Sequence, residues 1–533
     1  MIGSDVSDGQ STLFDFTDID TSRGLEKKNG FVSHPFIEPD TVQYRDFQVE
    51  LSGIAVETNL LVVIPTGLGK TLIALIAAAE MMRRGGKKVL FLAPTKPLAM
   101  QHLDSFNRMF MLKSFALFTG SAKPSDRKEL WKMKRVIFAT PQVIENDLKE
   151  GLYDLGEVAL CIFDEAHRAV GNYSYVSVAA QCREAGARIL GLTASPGSKK
   201  AKIEDILVAL NIEKVETRER LDEDVNSYVK DVDEDIERVK LSSEMRKMLK
   251  PIDELLHEKI VKLQRMGFLR YKKADMISRK DLLSVRASIM GRKKKGGYLF
   301  GAMHNSIVAI HAYHCSELLE TQGIEPLRLY LRRMQESSEK SKVEKSFIGD
   351  ERMKKVGEIL EGTTGISHPK LAKLTEIVGE QMKLKQDSLV MVFTQYRDTI
   401  ESIVPELEKR GISFARFIGQ ADRGDKKGMT QKEQKRTIAE FSSGKYRVLV
   451  ASSIGEEGID VPDVDLVIFY EPIPSEIRYI QRKGRTGRSS VGRVVILVAE
   501  GTRDEAFLRA SASRERRMNR IVRSMKSVNQ AAE

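Results

Sequence analysis

Short apolar runs that alternate with longer amphipathic segments restrict the fold of this chain more than any other feature. Between residues 40 and 215 these runs are LLVVIP, KVLFLAP, RVIFAT, VALCIFDEA and ILGLTAS. They have the length of buried strands, and the segments between them have helical spacing. This alternation predicts a parallel sheet covered by helices on both faces. A second series begins near residue 385 with SLVMVFTQY, SFARFIG, YRVLVAS, VDLVIFY and RVVILVAE.

The two series predict two similar α/β domains, at residues 35–215 and 366–510. Between them, at 216–365, we expect the strands to stop and a helical insertion to follow, because apolar residues in LSSEMRKMLKPIDELLHEKIVKL recur at helical spacing. The polar, acidic residues 1–34 are predicted to be a loosely ordered leader. Residues 511–533 read as a basic terminal helix or tail.

Composition narrows the class of protein. The chain has 533 residues, of which 41% are hydrophobic and 30% charged, and a formal net charge of +11. That charge is compatible with a polyanionic partner but does not require one. Three cysteines without a CxxC pair indicate a reducing, cytoplasmic setting. We find no secretory signal and no apolar run of about 18 residues, so we expect no contact with a membrane.

The segment IPTGLGKT, residues 64–71, has the position of a phosphate-binding loop between a strand and a helix. Its glycines would let backbone N–H groups converge on phosphate oxygens at the helix start. Ile64 replaces the first small residue of the usual pattern, and a simple helix-capping turn is the alternative. The residues expected to hold the nucleotide and its Mg²⁺, with Lys70 on the β- and γ-phosphates and Thr71 on the metal, are Thr66, Gly67, Leu68, Gly69, Lys70 and Thr71.

Two adjacent carboxylates, Asp164 and Glu165, end another apolar strand. We expect Asp164 to face the same Mg²⁺ and Glu165 to orient and deprotonate the water that attacks the γ-phosphate. Without the phosphate loop they would read as two surface acids at a strand end. His167 has no companion ligands for a metal site of its own.

The segment QRKGRTGR, residues 481–488, supplies closely spaced arginines in the second domain. Guanidinium groups brought across a cleft stabilise the charge that develops during phosphoryl transfer. For this segment taken alone, a basic run that binds RNA or DNA, or an exposed helix end, is the equal alternative.

These segments occur together with others in an order that resembles superfamily 2 helicases, over about residues 40–215 and 366–500. The further segments are APTKPL, ATPQ, DEAH, TAS and SSIGEEGID. Finer details, including DEAHRAVGNYSYV and HPFIEPDTVQYRDFQ, are similar to the archaeal Hef helicases, relatives of the Fanconi anaemia group M translocases and of XPF. The resemblance implies two RecA-like, doubly wound parallel-sheet domains.

The resemblance also implies a role for individual residues. Adenine, ribose and cleft contacts would come from Arg45, Gln48, Gly458 and Asp460. The γ-phosphate would meet Gln481, Arg485 and Arg488. Coupling of hydrolysis to domain movement would involve Thr193 and Ser195. Contacts to the nucleic-acid backbone would come from Thr95, Lys96, Thr140, Gln142, Thr394 and Gln395.

Within the insertion, residues 265–297 hold 11 Lys or Arg against two acids. Such a surface binds phosphates with a salt-dependent affinity, although a solvated helix face is the alternative. The resemblance implies a thumb that contacts duplex near a branch. Its unbroken basic run is Arg292, Lys293, Lys294 and Lys295. HAYHC, residues 311–315, is interpreted as packed helix residues in preference to a zinc site.

We therefore expect an ATP- and Mg²⁺-dependent DNA helicase or translocase that remodels forked and branched DNA in repair or at stalled forks, with repair or replication proteins as possible partners. One alternative is an ATPase stimulated by double-stranded RNA, of the Dicer or RIG-I type. Another is a scaffold that binds branched DNA without catalysis, which the intact Lys70, Asp164, Glu165 and Arg485 disfavour. The chain contains no ERKxxxD run, so we predict that it does not cleave DNA.

Overall fold

A computed structural model of the protein describes residues 24–219, 222–226, 228, 232–270, 272–292, 296–336, 341–363, 365–419, 428–452, 463–472 and 492–530. The strands are β1 Glu26–Lys28, β2 Phe31–Ser33, β3 Leu60–Val63, β4 Lys88–Leu92, β5 Phe115–Phe118, β6 Val136–Ala139, β7 Val158–Asp164, β8 Arg188–Thr193, β9 Lys214–Thr217, β10 Val232–Val239, β11 Val390–Thr394, β12 Phe414–Phe417, β13 Val448–Ser452, β14 Leu466–Phe469 and β15 Gly492–Ala499.

The helices fall into three groups along the chain. Those before the insertion are α1 Asp46–Glu57, α2 Lys70–Arg83, α3 Lys96–Met109, α4 Pro124–Met133, α5 Pro141–Lys149, α6 Ser174–Glu184, α7 Lys200–Ala209 and α8 Glu223–Asn226. Those of the insertion are α9 Ser243–Arg265, α10 Arg279–Met290, α11 Gly297–Thr321, α12 Ile324–Glu336, α13 Lys342–Ile348 and α14 Glu351–Glu361. The last are α15 Pro369–Leu384, α16 Arg397–Lys409, α17 Gln431–Ser442 and α18 Arg503–Gln530.

The first lobe is built on a parallel sheet with the strand order β5-β6-β4-β7-β8-β3-β9. Its central strands are buried on both faces, as their unbroken apolar sequences predict. Helices cover both faces, and two apolar clusters, one on each side, make up the core. The carboxyl ends of the parallel strands meet at one edge, where the strand-to-helix loops lie.

The second lobe repeats the plan with the order β10-β15-β14-β11-β13-β12, again parallel. The predicted fold class, two doubly wound α/β domains with helices between them, is confirmed. Two first-lobe strands were missing from the prediction. The strand β5 is half-buried, and β9 is a short edge strand with polar residues at both ends.

The expectation that strands stop at residue 216 is wrong. The strand β10, VDEDIERV, pairs in parallel with β15 along its whole length and forms an edge of the second sheet. Ile236 is 44% exposed, so β10 lacks the apolar pattern of a buried strand. Its charged residues are typical of an edge strand, and they prevented its prediction from the sequence. The helical insertion therefore begins at Ser243, after the chain has contributed β10 to the sheet of the second lobe.

The leader is also shorter than expected within the residues that the structure describes. The strands β1 and β2 form an antiparallel hairpin around Asn29 and Gly30, whose φ angles are 51° and 84°. Asn-Gly is the preferred pair for such a turn. Val32 is only 1% exposed and joins the first-lobe core, so this part of the leader packs on the lobe.

The insertion is a helical layer with its own apolar core. The longest helices, α9 and α11, pack against each other and carry most of that core. The final helix, α18, then leaves the second lobe and returns to the first: its Met518 and Val522 are buried in the first-lobe core. Among the described residues, no helix has both the length and the apolar composition to cross a bilayer.

Candidate functional site

The phosphate loop joins β3 to α2 in a shape that requires glycine. Gly69 precedes the helix with φ 82°, and Gly67 has φ 89°. A Cβ atom at Gly69 would lie 2.4 Å from the side-chain amide nitrogen of Gln48. That amide donates a hydrogen bond of 2.9 Å to the carbonyl oxygen of Leu68. Gln48, expected to contact the adenine, is fully buried and supports the phosphate loop through this hydrogen bond.

The two carboxylates stand beside this loop because of the strand order. Strand β7 lies between β4 and β8 and ends at Asp164, so Asp164 and Glu165 emerge at the same edge as the loop after β3. Glu165 has φ 49°, in the left-handed region that residues other than glycine rarely adopt. Strain of this kind concentrates at functional sites. The hydroxyl of Tyr175 donates a 2.6 Å hydrogen bond to the carbonyl oxygen of Asp164 and fixes the strand end.

His102, on α3, connects the two expected Mg²⁺ ligands and was missed by the sequence analysis. Its Nδ1 lies 3.3 Å from the hydroxyl of Thr71, and its Nε2 lies 2.9 Å from Oδ2 of Asp164. His102 is 6% exposed, and its ring packs on Phe91 at 4.4 Å between centroids. A hydroxyl and a carboxylate are oxygen ligands of the kind that Mg²⁺ prefers, so this donor set fits the metal.

Glu165 is held in its charged form. Burial acts to raise its pKa, but the close contact with His167 and the charges of His167 and Lys70 outweigh burial and place the pKa below the ordinary 4.5. Nδ1 of His167 lies 3.2 Å from Glu165 Oε2. Lys70 itself reaches back to the carbonyl oxygen of Ile64 at 3.4 Å. A charged carboxylate beside the phosphate loop can accept a proton from a water molecule.

Thr193 and Ser195, predicted to couple hydrolysis to movement, lie behind these acids. Thr193 ends β8 and is fully buried, and its hydroxyl lies 3.2 Å from Nδ1 of His167. The backbone N–H of Ser195 donates to the same hydroxyl at 3.1 Å. The hydroxyl of Ser195 donates to the sulfur of Met518, on α18, at 2.8 Å.

The predicted nucleic-acid contacts of the first lobe follow neighbouring strands. Thr95 comes after β4, caps α3 through its hydroxyl, and is followed by Lys96, whose ammonium lies 3.0 Å from the hydroxyl of Ser121. Thr140 comes after β6 and precedes α5, where Gln142 is exposed. Both strands belong to one half of the sheet, so these residues form one row along its edge.

In the second lobe, Thr394 does not present its side chain to a ligand. It is fully buried, and its hydroxyl donates to Glu471 at 3.1 Å. The same carboxylate accepts the backbone N–H of Gln395 at 3.1 Å. Gln395 is half-buried at the surface. Glu471, unnoticed in the sequence, therefore shapes the loop that carries Gln395. Burial raises its pKa to about 7, against the opposing charge of Lys370.

Several predicted residues lie outside the described part of the chain and keep the status of predictions. They are Gly458, Asp460, Gln481, Arg485, Arg488, Lys293, Lys294 and Lys295. Arg292, next to the last three, is exposed and places its guanidinium 5.3 Å from the ring of Phe268. Arg45 places its guanidinium 5.4 Å from the ring of Tyr228.

The histidines of HAYHC take part in helix packing. Nδ1 of His311 lies 2.6 Å from the hydroxyl of Tyr330, and His314 packs edge-on against the same ring. Cys315 is buried in the insertion core. Across the residues with a described position, no group of three or more candidate ligands is arranged to hold a metal ion.

Three protein families match successive parts of the chain. Residues 45–203 match "DEAD/DEAH box helicase", and residues 369–490 match "Helicase conserved C-terminal domain". Residues 241–362, which contain the insertion helices, match "Putative ATP-dependent RNA helicase, helical bundle".

Individual relatives are similar over almost the whole chain. The crystal structure of the Pyrococcus furiosus Hef helicase domain has 43% sequence identity and a TM-score of 0.71, and the match covers 89% of this chain and 100% of that one. "Putative ATP-dependent RNA helicase MJ1505" of Methanocaldococcus jannaschii is 39% identical over 93% of this chain and 63% of its own length. "ATP-dependent DNA helicase mph1" of Neosartorya fischeri is 32% identical over 96% and 50%. The chain thus spans about half to two thirds of these curated relatives.

Replacing His102 with phenylalanine should weaken Mg²⁺ binding. His102→Phe keeps a ring against Phe91 but loses the contacts to Thr71 and Asp164, the expected metal ligands, and loss of such an orienting partner lowers metal affinity by about tenfold or more. The Mg²⁺ concentration at half-maximal binding of a fluorescent ADP analogue should rise accordingly. His304→Phe, in the insertion, is the matched control. An unchanged Mg²⁺ titration for His102→Phe would contradict this role.

Glu471→Gln should change how stability depends on pH. The folded carboxyl has a pKa of about 7 and an ordinary value of 4.5, so it stabilises the second lobe in its protonated form, and this contribution falls by roughly 3 kcal/mol as pH rises from about 4 to 8. The variant lacks this component. Urea midpoints of β11 and β14, read by pulsed hydrogen exchange at several pH values, measure it. Equal pH slopes for Glu471→Gln, the wild type and the exposed-site control Glu361→Gln would refute the assignment.

Proposed function

This chain belongs to the superfamily 2 helicases of the Hef type, and from that membership we propose that it uses ATP hydrolysis to move along DNA and to remodel forked and other branched DNA during repair or at stalled forks. The observation that carries the proposal is the meeting of Thr71, His102 and Asp164 beside the phosphate loop and Glu165. A scaffold that only bound DNA would have no need of this arrangement.

Each residue at the first-lobe edge has a task in this proposal. The loop N–H groups and Lys70 bind the phosphates, while Thr71 and Asp164 hold Mg²⁺, which neutralises phosphate charge when bound. Glu165, charged and half-buried, takes a proton from the attacking water. Gln481, Arg485 and Arg488 approach the γ-phosphate from the second lobe when the cleft closes.

Movement along the nucleic acid requires each lobe to contact the same nucleic-acid strand. The row formed by Thr95, Lys96, Thr140 and Gln142 contacts the backbone from the first lobe, and Gln395 contacts it from the second. Thr394 supports Gln395 through Glu471 and makes no contact itself. Because these groups address phosphates and sugars, the motor has little sequence preference. Closing and opening of the cleft between the lobes then moves the contacts of one lobe along the strand relative to those of the other.

The choice of DNA rests on the relatives. Two relatives favour DNA by their names, "ATP-dependent DNA helicase mph1" of Neosartorya fischeri and "Putative ATP-dependent DNA helicase fml2" of Schizosaccharomyces pombe. The second candidate is a double-stranded RNA ATPase, favoured by the names of MJ1505 and of the helical-bundle family. An A-form duplex is recognised by its shape, so matched DNA and RNA substrates separate the two.

Lys70→Ala should abolish the motor and spare binding. Removing the ammonium that meets the β- and γ-phosphates should lower nucleic-acid-stimulated ATP hydrolysis by about 10²-fold or more, while affinity for a fork stays within about twofold because Lys70 lies inside the phosphate loop. ATPase rates with single strands, duplex, fork and four-way junction, each as DNA and RNA, identify the substrate. Stimulation by duplex RNA alone would refute the assignment of DNA as the substrate. Fork remodelling by Lys70→Ala would refute the proposal that ATP hydrolysis drives the movement.

The basic segment predicts a change in salt dependence. Arg292→Glu with Lys293→Glu should weaken fork binding and flatten the plot of log affinity against log salt by about two, since each lost phosphate contact removes about 0.9. Lys354→Glu with Lys355→Glu, two exposed lysines of α14 on the same insertion, is the control of equal charge. If both pairs change the slope equally, net charge explains the effect and the segment is not the contact surface.

A further inference from the structure

The helix α18 contacts the catalytic region of the first lobe although it belongs to the end of the chain. Met518 and Val522 are 3% and 2% exposed and pack among first-lobe core residues. The helix lies against β9 at the edge of the first sheet. This docking brings the sulfur of Met518 within 2.8 Å of the hydroxyl of Ser195.

From Met518, close contacts lead to the general base. The chain of groups passes through Ser195 and Thr193 to His167, with separations of 3.1 Å and 3.2 Å, and from His167 to Glu165 at 3.2 Å. Ser195, Thr193 and His167 are buried and Glu165 is half-buried, so bulk water has little access to the contacts between them. A displacement of α18 therefore changes the position of the turn that follows β8.

The other end of α18 is fixed to the insertion and the second lobe. Arg503 donates to Glu320 at 2.8 Å and to Ser316 at 2.7 Å, both on α11, and its guanidinium lies 4.4 Å from the ring of Tyr313. The next residue, Asp504, forms an ion pair with Lys370 in which both side chains are completely buried. Breaking a buried charge pair is costly in free energy. The first turn of α18 therefore moves together with α11 and α15.

The helix α11 extends this connection toward the basic segment. It begins at Gly297, where the basic segment of residues 265–297 ends, and it ends at Thr321, beside the contacts of Arg503. Over its 25 residues it is about 37 Å long. Two long helices in series thus join the surface predicted to bind nucleic acid with the groups behind Glu165.

We propose that Met518 is a positioning residue, through which α18 transmits the position of the insertion to the Thr193–Ser195 turn and so adjusts ATP hydrolysis to bound nucleic acid. The inference rests on the proposed motor function, since it assigns a route by which that function is regulated. Met518 is buried in the first-lobe core and acts through Ser195. Its effect is on the ratio between stimulated and unstimulated hydrolysis.

The test replaces the sulfur without removing the packing. Met518→Leu conserves volume but cannot accept the Ser195 hydroxyl, and coupling changes of this kind alter linked equilibria by about threefold or more. We expect the ratio of fork-stimulated to unstimulated ATPase to fall about threefold, with nucleotide affinity retained. The amide of Ser195 should also exchange hydrogen faster in the absence of any ligand. Val522→Ala, which removes packing on the same helix face, should lower the melting temperature and leave the ratio unchanged.

A double-mutant cycle tests the transmission itself. Glu320→Gln weakens the hold on Arg503, which lies about 22 Å along the helix from Met518. Sites this far apart add independently unless they are coupled, so a non-additive ratio in Glu320→Gln with Met518→Leu supports the route. Additive effects, or a wild-type ratio in Met518→Leu, refute it. If the wild-type protein shows no stimulation by any nucleic acid, the proposed function has failed, while faster exchange at Ser195 still reports the contact.

Discussion

The parallel arrangement of the first sheet is the constraint on which the site depends. Parallel strands bring their carboxyl ends to one edge, and the order β4-β7-β8-β3 puts the loops after these four strands side by side. Lys70, His102, Asp164 and Thr193 come from segments far apart in sequence, and only this order unites them. A hydrogen bond such as that between His102 and Asp164 can form because each helix or loop starts where its strand ends.

Buried charges at the base of α18 give the three parts of the molecule a common anchor. Lys370 of the second lobe and Asp504 of α18 form a fully buried pair, and Arg503 joins α18 to the insertion. Burial of charge stabilises little by itself, but it enforces one arrangement because every partner is needed. Apolar packing of Met518 and Val522 then attaches the far end of the helix to the first lobe. The helix is in this way a structural link and not an appended tail.

The sequence indicated the fold and the nucleotide loop well, because both depend on local patterns. Apolar runs predicted the central strands, and GLGKT predicted a turn that only glycine can adopt. Features set by tertiary pairing were missed. Strand β10 reads as polar because it is an exposed edge, and α18 docks through residues that look like the apolar face of any amphipathic helix. His102 is a lone histidine on α3, and nothing local to it indicates that Thr71 and Asp164 converge on its ring. The hairpin at Asn29 and Gly30, by contrast, could have been predicted from its Asn-Gly pair.

Glu165 and Glu471 show how the surroundings of a carboxyl group set its charge. Glu165 directly follows β7 and is half-buried, whereas Glu471 lies two residues beyond β14 and is buried. Around Glu165 the charges of His167 and Lys70 overcome burial, so the carboxylate stays ionised. Around Glu471 burial prevails and the pKa rises to about 7, while both oxygens accept hydrogen bonds from Thr394 and Gln395. A carboxyl group accepts a proton from water only in its ionised form. Glu165 therefore has the charge state that its proposed role requires, while Glu471 shapes the loop that carries Gln395 in the second lobe.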